Sequence, residues 1–143
     1  MAESIQIQLR FPGDDGVTEG AYVEVVGPDT FRLEDTPIWA NREDDPLHAG
    51  DVIEARQLPD GARLFVRVVE RSPMRHYSWV VPRIFVESPE YRRFGVAVEA
   101  AGGQWQGAFG GVLWAHVPPE SAFDPNAELA ARIAAATAGA ADA

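Results

Sequence analysis

The sequence predicts an α+β fold, in which a small curled antiparallel sheet or partial barrel precedes a β-α-β-β-α segment with two helices on one face. The first half of the chain alternates short apolar and polar runs separated by turn residues, as antiparallel strands do. The segment Pro59–Gly61 lies between two such runs and is a strong hairpin signal. The second half contains two helix-start signals, Ser88–Pro89 and Asp124–Pro125, among further strands.

Five strands are predicted in the first half of the chain: Ile5–Leu9, Tyr22–Val26, Phe31–Leu33, Val52–Gln57 and Ala62–Val69. Glutamines separate the apolar residues of the first strand, which indicates one buried face. Gly50–Asp51 is a tight turn that leads into the fourth strand. In the fifth strand, we expect Leu64, Val66 and Val68 to face the core.

The second half should begin with a β-rich segment, Tyr77–Val86, in which Pro82 indicates an edge position or a break. A short helix is expected over Pro89–Phe94, with Gly95 as its stop. Three strands and a last helix follow in the prediction: Val96–Ala100, Gln104–Phe109, Val112–Val117 and a helix that starts at Pro125.

The length of 143 residues is typical of one domain. We therefore predict a single α+β domain over residues 1–136, with a β-rich half (1–70) and a β-α-β-β-α half (71–136), and a flexible tail over residues 137–143. No run of residues reaches the roughly 18 apolar residues of a membrane span. The first ten residues lack a basic region followed by an apolar run, so we expect no signal peptide and a cytoplasmic protein.

Two amino acids are missing from the composition, and their absence excludes several chemistries. The chain has no cysteine, which excludes disulfides, thiolate zinc sites, iron–sulfur clusters and cysteine nucleophiles. All 12 basic residues are arginine, so lysine-dependent phosphate loops, kinases and Schiff-base enzymes are excluded too. We expect no cofactor.

The net charge of −10 is unevenly distributed along the chain. Residues 1–60 carry −10, residues 61–93 carry +4 and residues 94–143 carry −4. Two acidic clusters, Asp14–Asp15 and Glu43–Asp44–Asp45, lie among turn formers and are predicted to be loop tips. They could be solvated loops that keep the protein soluble, or a docking surface for a basic partner. A phosphate-backbone binder needs the opposite charge, so direct nucleic-acid binding is not expected.

The runs FRLEDTPIWA (Phe31–Ala40) and AGDVIEA (Ala49–Ala55) resemble an uncharacterised bacterial domain family, whose pattern is aromatic-Arg-Leu-acid-x-x-Pro-x-Trp followed by Gly-Asp-Val. Ile38 departs from that pattern, because it stands where the family has an aromatic residue. The resemblance covers roughly Ile5 to Ala136 and implies a fold, but no activity comes with it.

The chain has three histidines, His48, His76 and His116, and they show none of the spacings of a metal site. We expect them to be scattered and to bind no metal, with His116 partly buried on a strand face. An enzyme that uses His76 with a carboxylate is a third alternative, although no catalytic motif accompanies the residue and we predict no catalytic residues.

The leading hypothesis is a small acidic interaction protein, such as an inhibitor of the immunity or antitoxin type or an adaptor. Its predicted partner-binding residues are Asp14, Asp15, Glu43, Asp44, Asp45 and Trp105. The alternative is a binder of small molecules or peptides that uses the arginine-rich segment Arg71–Arg93, with Arg71, Arg75 and His76 as candidate ligand-binding residues.

Overall fold

The computed structural model describes residues 3–13, 17–38 and 45–141, which form two compact units. One unit covers Met1–Pro73 and is called the barrel unit below, and the other covers Met74–Ala143 and is called the sheet–helix unit. The boundary between them lies close to the boundary that the sequence predicts between its two halves. The α+β class is confirmed, with β-structure first and helices in the second half.

The barrel unit is a closed five-stranded barrel rather than an open curled sheet. Its strands are β1 (Ser4–Arg10), β2 (Thr18–Gly27), β3 (Thr30–Leu33), β4 (Val52–Gln57) and β5 (Arg63–Glu70). Consecutive strands pair antiparallel, and a short parallel pairing of β1 with β5, at Leu9↔Arg63 and Arg10↔Leu64, closes the barrel. The predicted hairpin between β4 and β5 is present, with Gly61 at a φ of 91°.

The barrel core comes from alternate positions of the strands. Leu9, Val23, Leu33, Leu47 and Ile53 are at most 1% exposed, and further apolar side chains pack around them. The predicted core face of the fifth strand is wrong in part.

The buried residue of β5 is Phe65, whereas Val66 is 45% exposed. Two register shifts in the pairing of β4 with β5 change which side chains face inward, and a strict alternation from the sequence cannot anticipate them.

The turn before β4 is held by a buried carboxylate, Asp51. Its oxygens accept hydrogen bonds from the backbone N–H of Ser72 (2.7 Å) and of His48 (2.9 Å), and from the Nη1 of Arg71 (3.0 Å). Gly50, with a φ of 90°, makes the tight turn that the sequence predicts. Asp51 therefore ties the segment that enters β4 to the segment that leaves β5.

The sheet–helix unit contains a three-stranded antiparallel sheet and three helices. The strands are β6 (Arg75–Val80), β7 (Gln104–Ala108) and β8 (Val112–Val117), in the spatial order β6-β8-β7. The helices are α1 (Arg83–Val86), α2 (Pro89–Ala100) and α3 (Pro125–Ala141). Buried residues from all three helices pack with Leu113, Ala115 and Val117 of β8, so the helices cover one face of the sheet.

The helices differ from the prediction at three places. The β-rich segment ends at Val80, and α1 follows Pro82, because a proline supports the first turn of a helix better than a central strand. The predicted strand Val96–Ala100 is helical, since α2 continues through Gly95. The last helix extends to Ala141, beyond the predicted boundary at Ala136.

Gly95 has a packing role and is not the helix stop. A Cβ atom at this position would overlap the indole of Trp105, which lies against the helix. The helix ends instead before Gly102, whose φ is 82° and whose N–H donates to the Glu99 carbonyl. The predicted helix starts are confirmed, because Ser88 Oγ caps α2 and Asp124 Oδ1 accepts from two N–H groups at the start of α3.

Candidate functional site

Of the five predicted acidic docking residues, the described part of the structure includes one. Asp14, Asp15, Glu43 and Asp44 lie outside the described residues. Asp45 is described, and one of its carboxylate oxygens lies 2.5 Å from Nη2 of Arg71. This ion pair offsets the charge of Asp45, one of the carboxylates predicted to meet a partner.

Most arginines of the barrel unit are paired inside the unit. The pairs are Arg10–Asp60, Arg32–Glu24, Arg63–Asp29, Arg67–Glu54 and Arg71 with both Asp45 and Asp51. Residues 1–73 contain 15 acidic residues and 7 arginines, a net charge of −8. Five of the seven arginines are used in these ion pairs. Little positive charge is therefore left to offset the other acidic residues, and the unit keeps a negative electrostatic potential.

An exposed tyrosine on the outside of the barrel is paired through its backbone with an exposed glutamate. Tyr22 of β2 is 53% exposed, and its backbone carbonyl accepts a hydrogen bond from the N–H of Glu34. Glu34 and its neighbour Asp35 are both exposed. Partial burial of the carboxyl, with the adjacent charge of Glu34 as a smaller cause, raises the pKa of Asp35. We call Tyr22, Glu34 and Asp35 the Tyr22 patch.

The candidate ligand-binding arginines do not form one cluster. Arg71 belongs to the barrel unit, whereas Arg75 and His76 belong to the sheet–helix unit. Arg75 holds the chain that precedes α3, because its Nη2 donates to the carbonyls of Ser121 (2.9 Å) and Phe123 (3.0 Å). Its guanidinium therefore has a structural use.

Trp105 is used inside the sheet–helix unit. Its indole packs against Gly95 and edge-on against Tyr91, and its Nε1 donates to Glu99 (3.0 Å). Phe109, at the turn between β7 and β8 of the same unit, is 57% exposed. Trp105 is therefore a packing residue of this unit, and it is not available as an exposed interface anchor.

A groove of about 470 Å³ runs along α2 and α3. Its floor is apolar, with Val96, Ala97 and Ala100, and three arginines border it: Arg92, Arg93 and Arg132. Glu90 accepts from both Arg93 and Arg132 and is itself 8% exposed, so these two arginines are held in place. Arg92 is exposed and makes no ion pair within residues 3–13, 17–38 and 45–141.

The two histidines of the sheet–helix unit face each other across neighbouring strands. His76 of β6 and His116 of β8 are register partners, and their Nδ1 atoms are 2.7 Å apart. His116 is 1% exposed, and His76 is half-buried. The prediction of scattered histidines is wrong for this pair, although the prediction that His116 is buried on a strand face is confirmed.

His48 lies in the turn that Asp51 organises in the barrel unit. Burial lowers the pKa of His48 because it disfavours the charged imidazolium, and Arg71 adds to this effect, whereas Asp51 and Asp45 oppose it.

Comparison with known proteins gives a fold but no family. No family model matches the chain, and no curated protein matches it. The chain is similar to the crystal structure of a hypothetical protein from Neisseria gonorrhoeae, with 15% identity and a TM-score of 0.56, over 94% of this chain and 89% of that one. At this identity the likeness shows the fold alone, and the resemblance to an uncharacterised bacterial family stays a prediction. Within the described residues, no helix is long and apolar enough to cross a membrane.

Sequence reasoning did not select the Tyr22 patch, the groove or the histidine pair. The sequence does carry a signal for Tyr22. Gln6 and Gln8 show which face of β1 points outward, and Tyr22, the register partner of Gln6 on β2, is an aromatic residue on that outer face. The groove and the histidine pair had no such signal. Each depends on residues about 40 positions apart in the chain, such as Arg92 with Arg132.

Proposed function

We propose that this chain is a small interaction protein that docks a basic partner through the acidic surface of its barrel unit, with the Tyr22 patch at the centre. The observation that carries the proposal is an exposed tyrosine whose backbone is hydrogen-bonded to that of the exposed Glu34, which precedes the exposed Asp35, on a unit of net charge −8. An inhibitor of the immunity or antitoxin type and an adaptor would both act in this way. The absence of cysteine is consistent with a reducing compartment such as the cytoplasm.

The chemistry of the patch favours arginine on the partner. A guanidinium can stack on the exposed ring of Tyr22 while it donates hydrogen bonds to a neighbouring carboxylate. Tyrosine is enriched among the residues that dominate binding energy at interfaces. The surrounding negative charge would accelerate encounter with a basic surface, and salt would weaken that effect. The carboxylates of residues 14–15 and 43–45 contribute to the same net negative charge.

The test starts with a pull-down at low salt, and the captured protein is then purified for kinetics with the full chain. We expect the double variant Glu34→Gln, Asp35→Asn to lower the association rate about threefold to tenfold and to reduce its salt dependence. We expect Tyr22→Ala to act mainly on dissociation, with an affinity loss of about thirtyfold.

Matched controls come from the sheet–helix unit, where Phe109→Ala and Glu120→Gln remove a similarly exposed aromatic residue and an exposed acid. Neither should change the kinetics. The loop variants Glu43→Gln and Asp44→Asn test the part of the acidic surface that the sequence predicts. If all barrel variants associate at the wild-type rate with the wild-type salt dependence, the docking proposal is wrong.

A second candidate function is the binding of an amphipathic anion, either a small molecule or a peptide end, in the groove along α2 and α3. The observation that favours it is the exposed guanidinium of Arg92 above an apolar floor. A carboxylate would pair with Arg92 while its hydrocarbon part contacts Val96 and Ala100. The arginines of the groove differ from the candidates Arg71 and Arg75, although Arg92 and Arg93 belong to the same arginine-rich segment.

This candidate is tested by thermal shift with octanoate, with octanol as the uncharged control. Octanoate should raise the melting temperature of the wild type, and octanol should not. Arg92→Gln should abolish the shift, whereas Arg56→Gln, which changes an exposed arginine of the barrel unit, should keep it. An equal shift in Arg92→Gln and in the wild type would exclude the groove.

A further inference from the structure

The buried histidine pair lies on the face of the sheet opposite the helices. On β8, Leu113, Ala115 and Val117 point into the core with the helices, so Val112, Trp114 and His116 point the other way. His76 is directly opposite His116 on one side, and Gln104 of β7 is its register partner on the other. Three polar side chains, those of His76, His116 and Gln104, therefore form a row across the sheet.

The geometry of the two rings brings two ligand atoms together. The ring centroids are 4.8 Å apart, the ring planes are inclined at 73°, and the Nδ1 atoms are 2.7 Å apart. In neutral imidazoles, one Nδ1 must donate its proton to the other Nδ1 at this distance. When neither Nδ1 carries a proton and each ring is protonated on Nε2 instead, the lone pairs of both Nδ1 atoms point into the same gap.

We propose that His76 and His116 bind a divalent transition-metal ion through their two Nδ1 atoms. Two nitrogens that each lie 2.0–2.1 Å from a tetrahedral zinc ion are about 3.3 Å apart. The pair therefore needs to open by only about 0.6 Å to admit the ion, which small side-chain rotations supply. Binding displaces the proton from between the two Nδ1 atoms, and in the neutral pair this proton moves through solvent to Nε2 of the same ring, with no net release. An imidazolium must first lose a proton to solvent, so acid competes with the metal and the affinity falls at low pH.

The ligand type selects the class of metal. Imidazole nitrogen suits zinc, copper and nickel, whereas magnesium and calcium require oxygen ligands. The positions that share this face of the sheet are His76, Ser78, Val80, Gln104, Gln106, Ala108, Val112, Trp114 and His116, and none of them is a carboxylate. The pair supplies two ligands, and water or a bound molecule would complete the coordination shell.

The pair has two properties that a ligand pair needs. His116 is nearly inaccessible and sits in the middle strand of the sheet, so its position is fixed by the pairing on both sides. His76 is half-buried, so an ion can reach the pair from its side. A fixed inner ligand and an accessible outer ligand lower the ordering cost of binding.

The experiment uses the full chain without a histidine tag, stripped of metal with a chelator. Zinc chloride is titrated in by calorimetry at pH 7.5, with magnesium chloride as a control for nonspecific divalent binding. We expect one zinc per chain, no magnesium binding, and at least a tenfold loss of zinc affinity in His76→Gln. Ser78→Ala, two residues along the same strand and face, is the matched control and should bind zinc like the wild type.

His116 is buried, so His116→Gln could fail to fold, and two measurements on the wild type keep the proposal testable. Cobalt(II) should give an absorption spectrum typical of low-symmetry coordination by nitrogen. Long-range nitrogen NMR of the imidazoles should show zinc on the Nδ1 of His76 and of His116. Absence of zinc binding by the wild type, unchanged affinity in His76→Gln, or zinc bound elsewhere in the NMR spectra would overturn the proposal.

Discussion

The barrel unit and the sheet–helix unit each bury a polar side chain almost completely, but they satisfy it in different ways. Asp51 in the barrel unit is 0% exposed and accepts from two backbone N–H groups and one guanidinium. His116 in the sheet–helix unit is 1% exposed and faces a second imidazole. A carboxylate surrounded by donors is a structural device, because the buried N–H of Ser72 would otherwise have lost its acceptor.

The two facing imidazoles, to which we assign the metal site, contrast with the donor set of Asp51. Aliphatic side chains of similar size would fill the same positions at lower cost of desolvation. Deprotonated imidazole nitrogens are ligands for transition metals, so this pair fits the metal site proposed above. Asp51 is therefore a buried polar group that supports the fold, whereas His76 and His116 are a candidate binding site.

Removal of Asp51 should have the largest effect on stability. We expect Asp51→Ala to destabilise the protein by about 3 kcal/mol, because the buried N–H of Ser72, the part-buried N–H of His48 and Arg71 lose this acceptor. Urea unfolding measures the change. Asp45→Ala removes only the exposed partner of Arg71, and its effect should stay within about 0.5 kcal/mol. Similar effects of the two variants would contradict the structural role assigned to Asp51.

Two glycine substitutions test the packing of the sheet–helix unit. Gly95→Ala should destabilise it by about 2 kcal/mol, since the added methyl group overlaps the indole of Trp105. Gly139→Ala in α3 meets no neighbouring atom and should stabilise it by up to about 1 kcal/mol. Thermal unfolding distinguishes the two signs. A stabilising Gly95→Ala would mean that α2 and Trp105 are not in contact.

Asp35→Asn tests whether the negative charge of Asp35 destabilises the folded protein at neutral pH. Because the pKa of Asp35 is raised in the folded protein, the folded state holds this proton more tightly than the unfolded state does. The contribution of Asp35 to stability is therefore greatest at low pH, and it falls as pH rises above about 3.9. We expect Asp35→Asn to be slightly more stable than the wild type at pH 7 and less sensitive to pH between 3 and 6. A less stable variant at pH 7 would contradict this.

The smallest effect should come from His48, which has the opposite sign of pH dependence. Its pKa is lowered in the folded state, so the unfolded chain binds a proton first as pH falls below about 6.5, and stability decreases. His48→Gln should lose this decrease between pH 7 and pH 5. The difference in melting temperature between variant and wild type, followed across that range, isolates the contribution of His48. A constant difference would show that His48 does not titrate differently on folding.

The barrel unit was predicted more accurately than the sheet–helix unit because its antiparallel pairings join consecutive strands. The turn at Gly50–Asp51 and the hairpin at Pro59–Gly61 are both encoded by residues next to each other. In the sheet–helix unit, β6 pairs with β8 across two helices and β7, so its neighbours in the sheet are far away in the sequence. Gly95 shows the same limit, because its role depends on Trp105 and not on the helix sequence.

The sequence by itself determined the α+β class, the helix starts at Pro89 and Pro125, the acidic character of the first half and the exclusion of cysteine and lysine chemistry. These depend on composition and on contacts between residues close in the chain. Only the tertiary structure decided that the barrel closes, that Trp105 packs inside, and that His76 meets His116. Each of those results depends on a pairing of distant segments, and local periodicity carries no information about which distant segments pair.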